Sequence, residues 1–311
     1  MLARLYSTYR RAARADAHRL ARPVISIGNI SMGGRGKTPL AALVAEILID
    51  AGERPAILSR GYGREIAADG VTVVSDGHAV VSDLAHSGDE PLMLARAVPG
   101  AAVLVCEERA LAGTLAERAL GCTVHVLDDG FQHHQLHRDI DIVLVGEGDL
   151  SDRPLPLGRL REPVEVLEFA DALIADGSSV PALQSSNVRG FRGSLTRSLG
   201  IHRSATRVFA IAGIARPERF FEALTSAGYE LAGSLGFGDH HRYSAADVDR
   251  IRAAAVTAGA ALIATTSKDM VRLEAFSGWP VPLIEIPLRV AVEPAAEFRA
   301  WLLAQLAEIR A

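Results

Sequence analysis

The residues best suited to do chemistry run from position 29 to 38: Asn29-Ile30-Ser31-Met32-Gly33-Gly34-Arg35-Gly36-Lys37-Thr38. Glycines at 33, 34 and 36 let backbone N–H groups turn inward around a polyanion. Lys37 carries a cation on a long arm that reaches β- and γ-phosphates, and the Thr38 hydroxyl suits a magnesium ion. A β-branched run, Val24 to Ile27, precedes this stretch, and an apolar-periodic helix from about Thr38 to Asp50 follows it. Strand, glycine-rich turn, Gly-Lys-Thr and helix is the layout of a phosphate-binding P-loop, with the helix start adding its dipole and unpaired N–H groups. The strict spacing places a glycine five residues before Gly36, where this chain has Ser31.

A second group of residues offers acid–base and metal chemistry. Asp128-Asp129 closes the apolar run Thr123–Leu127. An acid at a strand end is what a P-loop enzyme needs to hold Mg²⁺, and ligands of a doubly wound sheet gather at that edge. Asp-Gly is also a common turn, so the P-loop is what tips this pair toward metal binding. Asp89-Glu90 opens a helix reaching about Ala97, where acids also serve as caps. His133 and His134 are adjacent and point apart, which argues against zinc. Asp239-His240-His241 fits either an Asp–His orienting pair or a surface loop. Arg159 and Arg161 sit in a stiff Pro/Gly-rich segment and suit bidentate phosphate recognition or simple solubility. Arg109 begins a helix, where a cation is unfavourable for the helix itself, and this favours a functional reading.

These side chains need a scaffold, and the pattern supplies one. Strands are expected at Pro55–Ser59, Ala102–Cys106, Thr123–Leu127, Ile140–Val145 and Asp171–Ala175, alternating with helices at 88–97 and 107–120. A hairpin is expected from Val71–Ser75 through Asp76-Gly77 to Ala79–Ser82. Alternation of this kind predicts an α/β fold with a doubly wound, mostly parallel sheet of the P-loop NTPase type. A second series follows, with strands near Val208–Ala212, Glu230–Phe237, Ala261–Thr265 and Pro282–Ile286, and helices at 217–227, 245–258 and 293–309. The expected division is a P-loop domain over residues 1–195 and a smaller α/β domain over 196–311, with the C-terminal helix able to pack back on the first.

Composition narrows the class. The 311 residues are 49% hydrophobic with a formal charge of −4, which argues against a general nucleic-acid binder. The two cysteines, Cys106 and Cys122, form no CxxC pair, so a reducing compartment is expected. No apolar run approaches the ~18–20 residues of a membrane span, and residues 1–22 lack the continuous apolar core of a secretory signal. That segment holds six arginines against one acid, with Leu2, Leu5, Tyr6, Tyr9 and Ala13 at helical spacing. A basic amphipathic helix of this kind suits an anionic membrane surface or packing on its own domain.

Taken together, the motifs resemble the tetraacyldisaccharide 4′-kinases of lipid A synthesis. The matching pieces are Gly28-Asn29 with 33–39, Ser59-Arg60-Gly61-Tyr62-Gly63-Arg64, Gly88-Asp89-Glu90-Pro91, Asp128-Asp129-Gly130-Phe131-Gln132-His133 and Gly158-Arg159-Leu160-Arg161-Glu162-Pro163. Gly213-Ile214, Asp239-His240-His241 with Tyr243, and Thr265-Thr266-Ser267-Lys268-Asp269 follow in the second half. The family accepts Ser or Thr at the position of Ser31. The resemblance implies a peripheral enzyme at the cytoplasmic face of the inner membrane. It would move the γ-phosphoryl of ATP, with Mg²⁺, to the 4′-hydroxyl of an acylated glucosamine disaccharide 1-phosphate; no protein partner is inferred. It implies Asp89 as base with His240 as its partner, and Lys37 as a catalytic cation. Residues 31–38 would bind the nucleotide, and Thr38, Glu90, Asp128 and Asp129 would form the metal environment. Asn29, Arg109, Gln132, His133, Arg161 and Glu162 would serve substrate and phosphate.

Two rival readings stay open on sequence alone: a P-loop GTPase or metal-insertion chaperone, and a non-enzymatic membrane-surface adaptor. Lys268 and Asp269 are adjacent, which is the wrong spacing for guanine recognition. Intact Lys37, Thr38, Asp128 and Asp129 argue against a decayed site.

Overall fold

The computed structural model describes residue 10 and residues 16–34, 36–176, 190–199 and 206–311. In chain order the first half gives β1 (Val24–Asn29), α1 (Lys37–Asp50), β2 (Pro55–Ser59), β3 (Thr72–Asp76), α2 (Asp89–Ala97), β4 (Ala102–Val105), α3 (Arg109–Ala119), β5 (Val124–Asp128), β6 (Ile140–Val145), β7 (Ala172–Asp176) and β8 (Phe191–Leu199). Then come β9 (Arg207–Ala212), α4 (Pro217–Ser226), β10 (Glu230–Gly236), α5 (Ala245–Thr257), β11 (Leu262–Thr266), α6 (Ser267–Leu273), β12 (Leu283–Ile286), β13 (Leu288–Glu293) and α7 (Ala295–Arg310).

Nine strands form the larger sheet in the order β13-β8-β7-β6-β1-β5-β2-β4-β3. Its neighbours run parallel except at the two edges, where β3 opposes β4 and β13 opposes β8. Central strands are apolar without alternation because helices cover both faces; every residue of β1, β2, β5 and β6 is buried. One face packs Ile25, Ile27, Ile57 and Val126 against Leu40, Val44 and Leu48 of α1, and against Phe298, Leu302 and Leu306 of α7. The other face packs Leu58, Leu104 and Leu127 against Ala112 and Ala116 of α3. Each large apolar side chain fully buried this way contributes roughly 1.5–3 kcal/mol. The smaller sheet, β10-β9-β11-β12, is parallel throughout, with α5 on one face and α4 on the other.

Several sequence expectations are corrected. The hairpin is cut short: residues 79–82 return against β3 through one antiparallel bridge, Ser75–Val80, with the Val81 N–H donating to the Val74 carbonyl at 2.8 Å, and the main partner of β3 is β4. Pairing with an already anchored strand satisfies more backbone than a lone two-stranded ribbon. The boundary after residue 195 falls inside β8, which belongs to the larger sheet along its whole length. The chain also returns to that sheet as β13 before α7 packs on it. Of the expected N-terminal helix, residues 1–9 and 11–15 lie outside the described residues, as does Arg35. Arg10 is described, and its position differs from a solvated stripe. It is buried, stacked 4.1 Å over the Phe131 ring, and donates to the Phe131 carbonyl at 2.6 Å. Among the described residues no helix is long and apolar enough to cross a membrane.

Candidate active site

β1 lies between β5 and β6, so the strand order reverses there and opens a crevice at the carboxyl edge. The chain leaves β1 at Asn29 and enters α1 at Lys37. Gly36, at the N-cap, has φ +90°, and no side chain caps the helix. First-turn N–H groups therefore keep no side-chain acceptor, which is the arrangement an anion needs. Lys37 Nζ lies 3.2 Å from Asn29 Oδ1 and 3.4 Å from Asp129 Oδ1. The β1–β5 register sets Ile27 beside Asp128, and the Thr38 hydroxyl donates to Asp128 Oδ2 at 3.1 Å. Ser31 turns inward rather than toward ligand: it is fully buried and donates to Asp149 at 3.0 Å, bracing the loop from behind.

A cleft of about 2060 Å³ runs from this loop to the second sheet. Met32, Gly33, Gly34, Gly36, Lys37 and Thr38 line it. Asp128 is buried at its floor. Burial first, then the nearby charges of Glu90 and Asp129, push its carboxyl up to about 7, against the pull of Lys37 and Thr38. Asp129 adopts a left-handed backbone, φ +56°, and turns to Lys37 and to Arg161 at 3.0 Å. Glu90 faces Lys268 at 3.5 Å. All four residues of the expected metal set, Thr38, Glu90, Asp128 and Asp129, line the cleft. Among the described residues no three His, Cys, Asp or Glu side chains converge on one point, because Asp129 and Glu90 are drawn to cations. Crowded acids with too little positive charge fit a magnesium ion that takes its other ligands from phosphate and water.

Arg109, Gln132, His133 and Arg161 also line the cleft. Arg109 is buried, and burial and Arg60 hold its guanidinium below the usual range. Burial, reinforced by Arg109, Arg138, Arg60 and His134, lowers His133 to about 4, so its imidazole is neutral near pH 7. Asn29 and Glu162 do not face the cleft; both are buried behind it. Gln132 Nε2 bridges them, donating to the Asn29 carbonyl at 2.8 Å and to Glu162 Oε2 at 2.9 Å. Arg10 and His134 flank Glu162, each at 3.5 Å. A Cβ on Gly28 would collide with the Phe131 Cβ, so glycine is what lets this 129–132 turn lie against β1.

The opposite wall comes from both sheets' helices. Asp89, in the first turn of α2, is almost fully buried. Its Oδ2 accepts from Arg272 at 2.8 Å and lies 3.1 Å from His240 Nδ1, while Oδ1 is buried with no hydrogen-bond partner. His240 is itself left-handed, φ +58°, and the Tyr62 ring meets it edge-on at 5.3 Å. Strained non-glycine residues gather at functional sites, and the two here, Asp129 and His240, line the same cleft. Lys268 Nζ approaches Asp239 at 2.9 Å and His240 Nε2 at 3.0 Å. Farther along, Arg96 of α2 makes a bidentate pair with Glu274 at 2.6 and 2.7 Å. His241 belongs elsewhere, stacked on Phe237 and paired with Asp247 at 3.2 Å. Sequence reading missed Lys268 and Arg272. Their one signal was the i, i+4 spacing of two cations, which puts both on one face of α6. Asp269 is consumed internally by Gly213 N–H, Tyr243 and Thr266, so it is not available to a guanine base.

A family model described as tetraacyldisaccharide-1-P 4′-kinase matches residues 1–307. The tetraacyldisaccharide 4′-kinase of Geobacter metallireducens is 42% identical over 274 residues, covering 82% of this chain and 79% of that protein. The one from Syntrophus aciditrophicus is 39% identical over 320 residues, covering 92% and 84%. The crystal structure of the "apo" form of LpxK from Aquifex aeolicus, in complex with ATP, superposes with a TM-score of 0.79 at 28% identity, covering 98% of this chain and 95% of that one. Sequence and fold agree over nearly the full length, and the chain belongs to the tetraacyldisaccharide 4′-kinase family.

Proposed function

We propose that the protein binds ATP along the 31–38 loop and transfers its γ-phosphoryl group to the 4′-hydroxyl of a tetraacylated glucosamine disaccharide 1-phosphate. One observation carries this reading: the Lys37/Thr38–Asp128 cluster and His240, whose ring lies 3.1 Å from the buried Asp89 carboxylate, line the same cleft. Lys37 and the α1 N–H groups bind the polyphosphate, and Arg109 and Arg161 answer the charge that spreads over the transferring group. Thr38 and Asp128 would hold Mg²⁺, which supplies charge neutralisation at the phosphate oxygens. Asp89 accepts the proton of the acceptor hydroxyl at Oδ1, the carboxylate oxygen that no protein group occupies. Arg272 and His240 fix Oδ2 and so aim Oδ1.

The basic 1–22 segment supports docking on an anionic membrane, at the cytoplasmic face where ATP is found. Arg10 is spent on Glu162 and Phe131, so the other arginines of the segment would carry that contact. Purified protein incubated with Mg-ATP and the lipid disaccharide 1-phosphate should yield a bisphosphate. Retention of the monophosphate alone, with ATP binding intact, would reject the acceptor assignment.

A further inference from the structure

We infer that Lys268 is a positioning residue that works with Asp89 to fix the tautomer of His240, holding the ring hydrogen on Nδ1, where it faces Asp89. The inference builds on the reading of Asp89 as base, but its first test does not require kinase activity.

The argument is one of donors and acceptors. A lysine ammonium has three donors and no lone pair. Lys268 Nζ is ringed by carboxylates: Asp239 at 2.9 Å, Glu90 at 3.5 Å and Asp89 at 3.9 Å. Its contact with His240 Nε2 at 3.0 Å therefore requires Nε2 to accept. A neutral imidazole whose Nε2 accepts carries its hydrogen on Nδ1. Nδ1 lies 3.1 Å from Asp89 Oδ2, a carboxylate that can only accept while ionised. Both ends of the ring thus demand the same tautomer. The alternative would set a lone pair against a carboxylate on one side and a proton against an ammonium on the other.

This assignment has a consequence for the reaction. With Nε2 covered by Lys268, His240 has no open nitrogen for the acceptor's proton. The histidine orients Asp89, and the proton goes to Asp89 Oδ1. Lys268 itself needs no contact with the substrate. It stands one helical turn before Arg272, so α6 delivers both cations to the Asp89 carboxylate from the second sheet, while α2 delivers the carboxylate from the first.

The test begins with full-length wild-type protein labelled with ¹⁵N-histidine. Long-range ¹H–¹⁵N spectra near pH 7.5, with His240 assigned by loss of its signals in His240→Gln, report which nitrogen bears hydrogen. An Nδ1–H tautomer is expected; an Nε2–H tautomer overturns the inference, whatever the enzyme's activity. Lys268→Met leaves Asp89 alone to hold the ring and should let a measurable Nε2–H fraction appear, whereas Lys268→Arg, also a pure donor, should keep Nδ1–H. In steady-state assays with Mg-ATP and the disaccharide lipid, Lys268→Met should lower kcat at least tenfold with less than a twofold change in lipid KM. Lys268→Arg should recover most of that loss. An unchanged tautomer in Lys268→Met, or a defect confined to KM, also overturns the assignment.

Discussion

Asp89 and His240 stand 151 residues apart in the chain and 3.1 Å apart in space, one on α2 of the larger sheet and the other after β10 of the smaller. The pair exists because helices of the two sheets pack against each other, so the base is assembled across the junction between them.

Kinetics of the pair should therefore be non-additive. Asp89→Asn and His240→Ala should each lower kcat by about a hundredfold or more, and the double variant should be little worse than the poorer single. Nucleotide binding should persist in all three. Losses that multiply would mean the residues act independently.

Lys37→Ala should remove a charge contact worth ~3–4 kcal/mol in the transition state, a few hundredfold in rate. Among the described residues the Lys37 ammonium has two close polar partners, Asn29 and Asp129, so the melting temperature should hold within about 2 °C. More than half of wild-type turnover in this variant would remove Lys37 from the chemistry.

Asp128 couples function to stability. Its carboxyl titrates near 3.8 as a free group and is raised to about 7 in the folded protein. Between those values the native state keeps a proton that the unfolded chain has released, so stability falls as pH rises through this window. Asp128→Asn removes the penalty. Without nucleotide it should raise Tm by a few degrees at pH 8, on the order of 1–2 kcal/mol, and have little effect at pH 4, while abolishing turnover. Thermal melts across this range check the sign; a lower Tm at pH 8 would contradict it.

Gly28→Ala should cost about 2 kcal/mol or more, because its Cβ would drive Phe131 off β1 and shift the turn carrying Asp129 and Gln132. Denaturant unfolding measures the first effect. A kcat loss larger than that of an equally destabilised core variant measures the second.

Arg4→Gln, Arg11→Gln and Arg14→Gln together should weaken binding to anionic vesicles and flatten its salt dependence. Arg10 is left in place because it holds the 131–162 region together. Equal vesicle binding by the triple variant and the wild type would remove this segment from membrane docking.

The sequence revealed most where one residue type had one plausible use. The runs Val24–Ile27, Pro55–Ser59 and Ile140–Val145 could only be strands buried on both faces, and all three are. Gly-Lys-Thr after the first of them located the phosphate end of the cleft. β8 and β13 stayed hidden because edge strands are half-exposed; FRGSLTRSL and LRVAVE carry arginines and serines that read as loop. Asp89 and His240 were named through motif resemblance, since no local spacing links residues brought together by two sheets. Lys268 and Arg272 lay on a seven-residue helix too short for a periodic signal, and their partner sits 179 and 183 positions away. Asn29 and Glu162, expected to serve substrate and phosphate, are both buried and both accept from Gln132, and burial of this kind cannot be read from a residue's place in a motif.

The antiparallel pairing of β8 with β13 has a mechanical consequence. The chain leaves the larger sheet at the end of β8 and re-enters it at the start of β13, and Leu199 pairs with Leu288 where the two crossings lie side by side. Both covalent tethers of the smaller sheet thus share one ribbon, which can flex and twist along a single line but resists sliding. On the far side of the cleft no backbone joins the two bodies; α2 and α6 meet through Asp89–Arg272, Glu90–Lys268 and Arg96–Glu274. The molecule is joined by backbone on one edge and, on the other, by these ion pairs together with Val271 of α6, which is buried beside Leu92, Leu94 and Ala95 in the core of the larger sheet. Rising ionic strength should therefore weaken the ion-paired part of that second edge and leave its apolar part untouched.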